Sequence, residues 1–290
     1  MTKSRINLSR LEAAFQGRRE KAFSQADLFA TFIAAPLEWN LPRSMTKQTF
    51  IEMLLRRTKM SEVTLASSDY PPLIRYVWDK KATPVSLALS IKRNAFVSHG
   101  SAMWVHGIGG DENLIFINVE QSKKPPNRSV LTQEGIDRAF RSEQRQSRLV
   151  YKYRDATITV LNGKNSGNLE VELAKAPSGE EVEATSLERT LIDITVRPAY
   201  AGGITAVLDG FRRSLGTVSV NKLLSVLKAL DYTYPYHQSL GFYMKLAGYG
   251  KVDQDLVIRL GTQFSFYLGH GLGDLALDED FKVFFPKSLK

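Results

Sequence analysis

The sequence contains no cysteine, only four histidines and no long apolar run, and each absence removes a class of protein. Without cysteine, disulfide bonds and thiolate metal sites are excluded. No apolar stretch approaches the roughly 18–20 residues that a membrane helix needs, and the first residues lack a hydrophobic signal core. We therefore expect a cytoplasmic protein without a membrane partner.

The histidines and the glycine-rich segments form no recognisable catalytic arrangement. His99 and His106 lie seven residues apart, whereas helical zinc sites use closer pairs with further ligands. Ser98 is adjacent to His99, so their side chains would point apart on a helix, and no Gly-x-Ser-x-Gly turn surrounds the serine. Segments 107–110 and 269–273 lack the lysine of a phosphate-binding loop. We therefore expect no catalytic residue, no metal and no cofactor, and a protein that is not an enzyme.

One enzymatic alternative remains open, a DNA-binding protein with a magnesium-dependent nuclease domain. Glu170 and Glu172 share a strand face, Lys175 follows them, and Asp155 could lie on a neighbouring strand. Carboxylates and a lysine on adjacent strands can hold magnesium for phosphodiester cleavage, as in restriction-endonuclease-like folds. Lys175 lies three residues after Glu172, which departs from the Glu-x-Lys spacing of those nucleases.

The charge of the chain is unevenly distributed. Thirty-nine lysines and arginines against thirty acidic residues give a net charge of +9. Residues 1–60 alone contain eleven cationic and five acidic residues, so most of the excess lies in the first fifth of the chain. A local concentration of cations favours a polyanionic partner such as nucleic acid.

The N-terminal region has the order of elements of a winged helix-turn-helix. Amphipathic helices are predicted at about 7–17, from Ser24 to Pro36 and at 46–59, followed by strands at 61–67 and 74–78. In that geometry the third helix enters the major groove of double-stranded DNA. The predicted DNA contacts are Arg43, Lys47, Gln48, Thr49, Arg56, Arg57, Lys59, Arg75, Lys80 and Lys81.

Two other interpretations of this region stay open. The basic helix could be a solvated face of a small helical domain. Phe32, Ile33 and Trp39 could instead form a partner interface, since the segment around them is more hydrophobic than a compact winged helix requires.

The rest of the chain predicts a second domain, so that the domains are 1–82 and 83–290. Strands are expected at about 114–174 and helices at about 186–247, with a basic, exposed helical connection between residues 123 and 154. Thr185 and Glu188 have the spacing of a capping box, which predicts the start of a helix there. Pro198 predicts the end of the same helix. The expected fold class is α+β, a winged helix-turn-helix followed by a mixed α/β domain with a helical C-terminal region.

Three segments in this second part resemble the AbiEi family of antitoxins from type IV toxin–antitoxin systems. The most specific is the run 187–193 followed by Arg197, Pro198 and the pair Gly202-Gly203. Residues 94–107 are similar to the serine-histidine segment of the family, and residues 264–286 to its C-terminal end. Together the segments extend over roughly residues 90–290. The motif residues are Ser98, His99, Glu188, Arg189, Asp193, Arg197, Pro198, Gly202 and Gly203.

The resemblance implies a function in two parts. The N-terminal domain would bind inverted repeats in its own promoter as a transcriptional autorepressor. The remainder would counteract a cognate toxin, an AbiEii-like nucleotidyltransferase that arrests growth and contributes to phage defence. The toxin is a partner in function, with direct binding left open.

Overall fold

The computed structural model of this chain describes residues 6–123, 125 and 130–289. The fold is mixed α and β, and the chain forms two compact units. One unit comprises Met1–Ala95 with Leu149–Ile158, and the other comprises Phe96–Arg148 with Thr159–Lys290. The boundary predicted at residue 82 therefore lies within a unit that continues to Ala95 and also takes in a later segment of the chain.

Helices and strands alternate irregularly along the chain. The α-helices are α1 (Leu8–Gln16), α2 (Gln25–Ile33), α3 (Lys47–Arg57), α4 (Pro84–Leu89), α5 (His99–Val105), α6 (Gln133–Arg141), α7 (Leu187–Val196), α8 (Ile204–Ser214), α9 (Val220–Leu230), α10 (Tyr236–Ala247) and α11 (Lys251–Ile258). The strands are β1 (Ala22–Phe23), β2 (Met60–Leu65), β3 (Leu73–Trp78), β4 (Phe96–Val97), β5 (Leu114–Glu120), β6 (Val150–Tyr153), β7 (Ala156–Gly163), β8 (Val171–Lys175), β9 (Glu181–Thr185), β10 (Phe266–Tyr267), β11 (Leu275–Asp278) and β12 (Val283–Pro286).

Side-chain caps fix the helix starts of the first unit. Ser24 and Asp27 form a reciprocal capping box at the start of α2, and Thr46 and Thr49 do the same for α3. These bonds satisfy backbone N–H groups that the first helical turn leaves unpaired. The three helices predicted in this region are therefore confirmed, with bounds that differ by only a few residues.

An antiparallel sheet of order β1-β3-β2 completes the core of the first unit. Its buried Trp78 stacks on Phe15 of α1, with ring centroids 5.1 Å apart. Trp39, which one interpretation placed in a partner interface, is 4% exposed and belongs to this core. Phe32 packs against Phe50, and Ile33 is 70% exposed.

In the second unit, residues 159–163 of β7 and the strands β5, β4, β9 and β8 form a sheet in that order. β4 pairs antiparallel with β5 and parallel with β9, and β8 pairs antiparallel with β9. A separate three-stranded sheet of order β10-β12-β11 lies near the C-terminus.

Helix α7 is the centre of the second unit. Its residues 188–195 are all buried, and it contacts α5, α8, α9 and α10. A helix that is buried on every side normally carries apolar residues throughout. This helix instead buries Glu188, Arg189 and Asp193, so those charged groups must find partners inside the protein.

The capping box predicted for this helix is wrong. Ser186 is the N-cap residue, and its hydroxyl accepts a hydrogen bond from the backbone N–H of Arg189. Thr185 ends β9, and its hydroxyl lies 2.8 Å from the hydroxyl of Thr190. Pro198 does end the helix as expected, because a short 3-10 helix, Pro198–Ala201, follows.

Several short elements were not predicted. β1, β4 and β10 have two residues each, too few to show an alternating pattern. Within the predicted strand region, the sequence also indicates one continuous strand at 150–161, but the structure has a hairpin of β6 and β7, which turns at Arg154 with φ 53°. In the basic connection α6 is present, whereas Lys124 and Arg128 lie outside the described residues. No helix of the described residues could span a membrane.

Candidate functional site

The exposed face of α3 carries polar side chains at regular helical spacing. Phe50, Ile51 and Leu54 are buried, and Gln48, Glu52 and Arg56 lie exposed at i, i+4 and i+8. Such an arrangement presents two side chains capable of base recognition and one cation along a single line. Thr49 is exposed as well, but its hydroxyl is engaged in the cap with Thr46.

Further cations predicted to contact DNA surround this face. Arg43, Arg57 and Lys59 are exposed. The ammonium group of Lys47 lies 5.6 Å from the ring centroid of Phe29 in α2, within the range of a cation–π interaction.

The predicted DNA contacts Lys80 and Lys81 follow β3, at the end of the β2–β3 hairpin opposite its turn. Lys80 and Lys81 do not lie at the hairpin turn, because Met60 pairs with Trp78 and the strands meet α3 at that end. Asp79 lies beside them, 3.2 Å from the Lys81 ammonium and 3.7 Å from that of Lys59.

Arg75 was predicted to contact the DNA backbone, but its side chain is buried. Its guanidinium donates hydrogen bonds to the carbonyl oxygens of Ile74, Ser90 and Ile91, at 2.7, 3.1 and 3.3 Å. The residue is 7% exposed and joins β3 to the end of α4. Arg75 therefore acts as a structural residue and is not available to a phosphate in this conformation.

Two exposed cations near the hairpin turn were not among the predicted DNA contacts, although they lie at the end of the basic segment 123–154. The turn itself, residues 66–72, has Asp69 as its one charged residue. Ala66 forms an antiparallel bridge with Lys152 of β6, with backbone bonds of 2.7 and 3.0 Å. Lys152 and Arg154 are both exposed. Their placement beside β2 could not be predicted from the sequence, because Lys152 lies 80 positions after Pro72, the last residue of the turn.

In the second unit, the motif residue Glu188 joins two helices. Its carboxylate accepts a hydrogen bond from the backbone N–H of Ser219, which caps α9, at 3.0 Å. Lys222 of α9 lies 3.2 Å from the same carboxylate and 2.7 Å from that of Glu170. Glu188 therefore fixes the start of α9 against α7, a structural function.

Arg189 and Asp193 form a buried ion pair one turn apart on α7. The Arg189 Nε donates to Asp193 Oδ1 at 2.8 Å, and both side chains are about 5% exposed. The Arg189 Nη1 also donates to the hydroxyl of Ser166 and the carbonyl oxygen of Leu169. Several hydrogen bonds to one guanidinium offset the cost of removing its charge from water.

His99 is the first residue of α5 and has the unusual backbone angle φ 52°. Non-glycine residues adopt this left-handed region at an energetic cost, often near functional sites. Its Nδ1 lies 2.9 Å from the Ser98 hydroxyl, and its ring contacts Tyr200 edge-on. Burial lowers the pKa of His99 to about 4, partly opposed by Asp193, so the imidazole is neutral at pH 7.

The corner after α7 orients Arg197. Pro198 begins the 3-10 helix, and Gly202 and Gly203 have φ values of 93° and 95°, which only glycine adopts readily. The Arg197 guanidinium lies 5.8 Å from the ring centroid of Tyr200. In the described part of the chain it has no ion pair.

A cavity of about 330 Å³ in the second unit brings four of the motif residues together. His99, Arg189, Asp193 and Arg197 line it, although they are as many as 98 positions apart in sequence. Ser98, Glu188, Pro198, Gly202 and Gly203 are not part of its lining. The rest of the lining includes Asn118, Lys164 and three tyrosines, which no sequence pattern indicated.

Glu170, one of the carboxylates of the nuclease alternative, forms an ion pair with Lys222. Within the described residues, no group of three or more histidine or carboxylate side chains could hold a metal ion. His106 instead donates from Nε2 to the carbonyl oxygen of Thr185, at 2.7 Å.

Comparison with known proteins supports the fold and does not extend to function. No family model and no curated protein matches the chain. The chain is similar to the crystal structure of the RV2827C protein from Mycobacterium tuberculosis, with a TM-score of 0.55 and 14% sequence identity. The similarity covers 97% of this chain and 92% of that one. At this identity it establishes a shared fold alone.

Proposed function

We propose that the protein is an AbiEi-like antitoxin that represses its own promoter and counteracts a nucleotidyltransferase toxin. In this proposal the first unit is a winged helix-turn-helix that binds double-stranded DNA in the cytoplasm. The observation that carries the proposal is the polar face of α3, which the packing of α1, α2 and the β1-β3-β2 sheet leaves exposed.

The residues of α3 divide between base recognition and backbone contact. Gln48 can donate to and accept from adenine, and Glu52 can accept from the amino group of cytosine. Arg56 can contact guanine or a phosphate, and Arg43, Lys47 and Arg57 lie at the ends of the helix, where phosphates would be. A recognition helix requires an exposed face of base-contacting side chains with cations on either side, which is the arrangement of α3.

The cations beside the hairpin turn supplement this interface. A wing normally follows the DNA backbone next to the recognition helix, and this turn carries no cation of its own. Lys152 and Arg154 provide the missing positive charge within the same unit. We therefore assign backbone contacts to them, in place of the buried Arg75.

The DNA-binding proposal is tested by a mobility shift with DNA from upstream of the gene, titrated against salt and a scrambled competitor. Arg56→Ala with Arg57→Ala should weaken binding, because phosphate contacts are lost. The salt dependence should also decrease, since each lost phosphate contact reduces the slope of log K against log salt by about 0.9. Gln48→Ala should reduce discrimination between the specific and the scrambled DNA. Lys251→Ala with Arg259→Ala removes two exposed cations of the second unit and is the matched control.

An unchanged salt slope in the α3 double variant would reject α3 as the recognition helix. Equal loss in the control variant would show that net charge, and not this face, drives the binding. If the specific DNA is not preferred over the competitor, the autorepressor function is rejected.

The antitoxin function rests on the resemblance of residues 187–203 to the AbiEi family and is tested separately. Co-expression with the neighbouring nucleotidyltransferase gene should restore growth that this gene alone arrests. The Arg56→Ala and Arg57→Ala variant should still restore growth when the antitoxin is expressed from an unrelated promoter. Continued growth arrest with the wild-type protein would reject the antitoxin assignment and leave the DNA-binding proposal intact.

A further inference from the structure

The cavity beside α7 carries more positive charge than its acidic residue can balance. Asp193 is bound to Arg189, and among the described residues Arg197 and Lys164 have no carboxylate partner. Lys164 donates to the carbonyl oxygens of Leu230 and Asp231, which hold its position but not its charge. Two uncompensated cations in a concave site attract an anionic group.

Asn118 adds an unsatisfied polar group to the same wall. It is 4% exposed, and its Oδ1 has no hydrogen-bond partner in the described part of the chain. Gly163 makes room for it, since a Cβ at that position would lie 2.6 Å from either end of the Asn118 amide. A buried polar group without a partner requires an explanation, and a ligand in the cavity supplies one.

Tyrosines form the third feature of the wall. Tyr232, Tyr234 and Tyr236 line the cavity and also a second one of about 540 Å³, whose other residues include Leu224 and Leu227. Burial raises the pKa of Tyr232 and Tyr236, so both hydroxyls remain protonated hydrogen-bond donors at pH 7. Aromatic walls of this kind hold flat rings by stacking and edge contacts.

From these three features we infer that the cavity binds a nucleoside phosphate. The phosphates lie against Arg197 and Lys164, the base lies against the tyrosines, and the Asn118 amide hydrogen-bonds the ligand. A volume of about 330 Å³ falls within the range of small-molecule sites. The site lies in the second unit and stands whether or not the first unit binds DNA.

Calorimetric titration of the full chain tests the inference. The probes are ADP, GDP, CDP and UDP, with the matching nucleosides and inorganic pyrophosphate as the two halves of the ligand. At least one diphosphate should bind, and its nucleoside and pyrophosphate should each bind at least about tenfold more weakly. No measurable binding of any diphosphate at millimolar concentration overturns the proposal.

Variants then locate the site. Arg197→Gln should weaken the bound diphosphate by about 10- to 100-fold, the effect of losing a charge-assisted hydrogen bond, and leave nucleoside binding unchanged. Arg212→Gln removes an exposed arginine of α8 outside the cavity and should have no effect. Gly163→Ala displaces Asn118 and should weaken binding while Arg197 is retained.

Two results count against the inference. Unchanged affinity in Arg197→Gln overturns the placement of the phosphates. Pyrophosphate that binds as tightly as the diphosphates overturns the nucleoside class, because the site would then recognise an anion alone. If Gly163→Ala fails to fold, Asn118→Asp replaces it, because a second negative charge beside the phosphates should weaken binding.

Discussion

The buried side chain of His99 makes the stability of the protein depend on pH. Its pKa of about 4 lies below the value of about 6.5 in an unfolded chain, because burial disfavours the imidazolium. Between these two values the unfolded state binds more protons than the folded state. Stability is therefore highest at and above neutral pH, and falls as the pH drops from about 6.5 to about 4.

We expect His99→Asn to reduce this pH dependence. Asparagine tolerates the positive φ of this position and does not titrate. The variant therefore keeps the backbone conformation and loses only the titratable group. Urea denaturation at pH 7 and pH 5 measures the free energy of unfolding of both proteins. Between these pH values the wild-type protein should lose up to about 1.4 kcal/mol of it per pH unit more than the variant. Equal losses in both proteins would contradict the burial of a neutral His99.

At the scale of elements, α7 and α9 are joined by a buried carboxylate. Glu188→Ala leaves the backbone N–H of Ser219 without its acceptor and removes one partner of Lys222. We expect a loss of about 1–3 kcal/mol in the free energy of unfolding, measured by urea denaturation. Lys222→Met should cost less, because an exposed ammonium contributes little. A larger loss for Lys222→Met would contradict this assignment.

The same helix shows what the sequence could predict and what it could not. The apolar spacing of Leu187, Leu191 and Ile194 predicts the helix, and Pro198 predicts its end, because both signals are local. The cap was assigned to Thr185 because Glu188 follows it at the spacing of a capping box. In the structure Thr185 is still paired with Val171 of β8, and Ser186 is the N-cap residue. Local patterns therefore gave the helices but not their partners.

The candidate sites divide in the same way. Exposure of Gln48 and Arg56 follows from helical spacing, and the sequence predicted both. The burial of Arg75 depends on its contact with the end of α4. The cavity depends on Asn118 of β5 and on Lys164, which follows β7, and both are far in sequence from α7. Such long-range contacts leave no periodic signal in the chain.

At the scale of the whole molecule, the chain leaves its first unit at residue 95 and returns to it at residues 149–158. Tyr151 of β6 is 4% exposed, and Arg75 and Tyr70, both of the first unit, influence the pKa of its hydroxyl, which burial raises. The returning segment is therefore part of the first unit and is partly buried there, although it was predicted as part of the second domain.

We expect Tyr151→Ala to destabilise the first unit selectively, by about 3 kcal/mol, as large-to-small core substitutions do. Hydrogen exchange followed by mass spectrometry resolves this, because local unfolding exposes the amides of one cooperative unit at a time. Exchange should accelerate in β2 and β3 and remain unchanged in α7. The exposed neighbour Lys152→Ala should leave exchange unaltered and weaken DNA binding alone. Faster exchange in α7 with no change in β2 would assign β6 to the second unit, and the contacts proposed for Lys152 and Arg154 would then lose their structural basis.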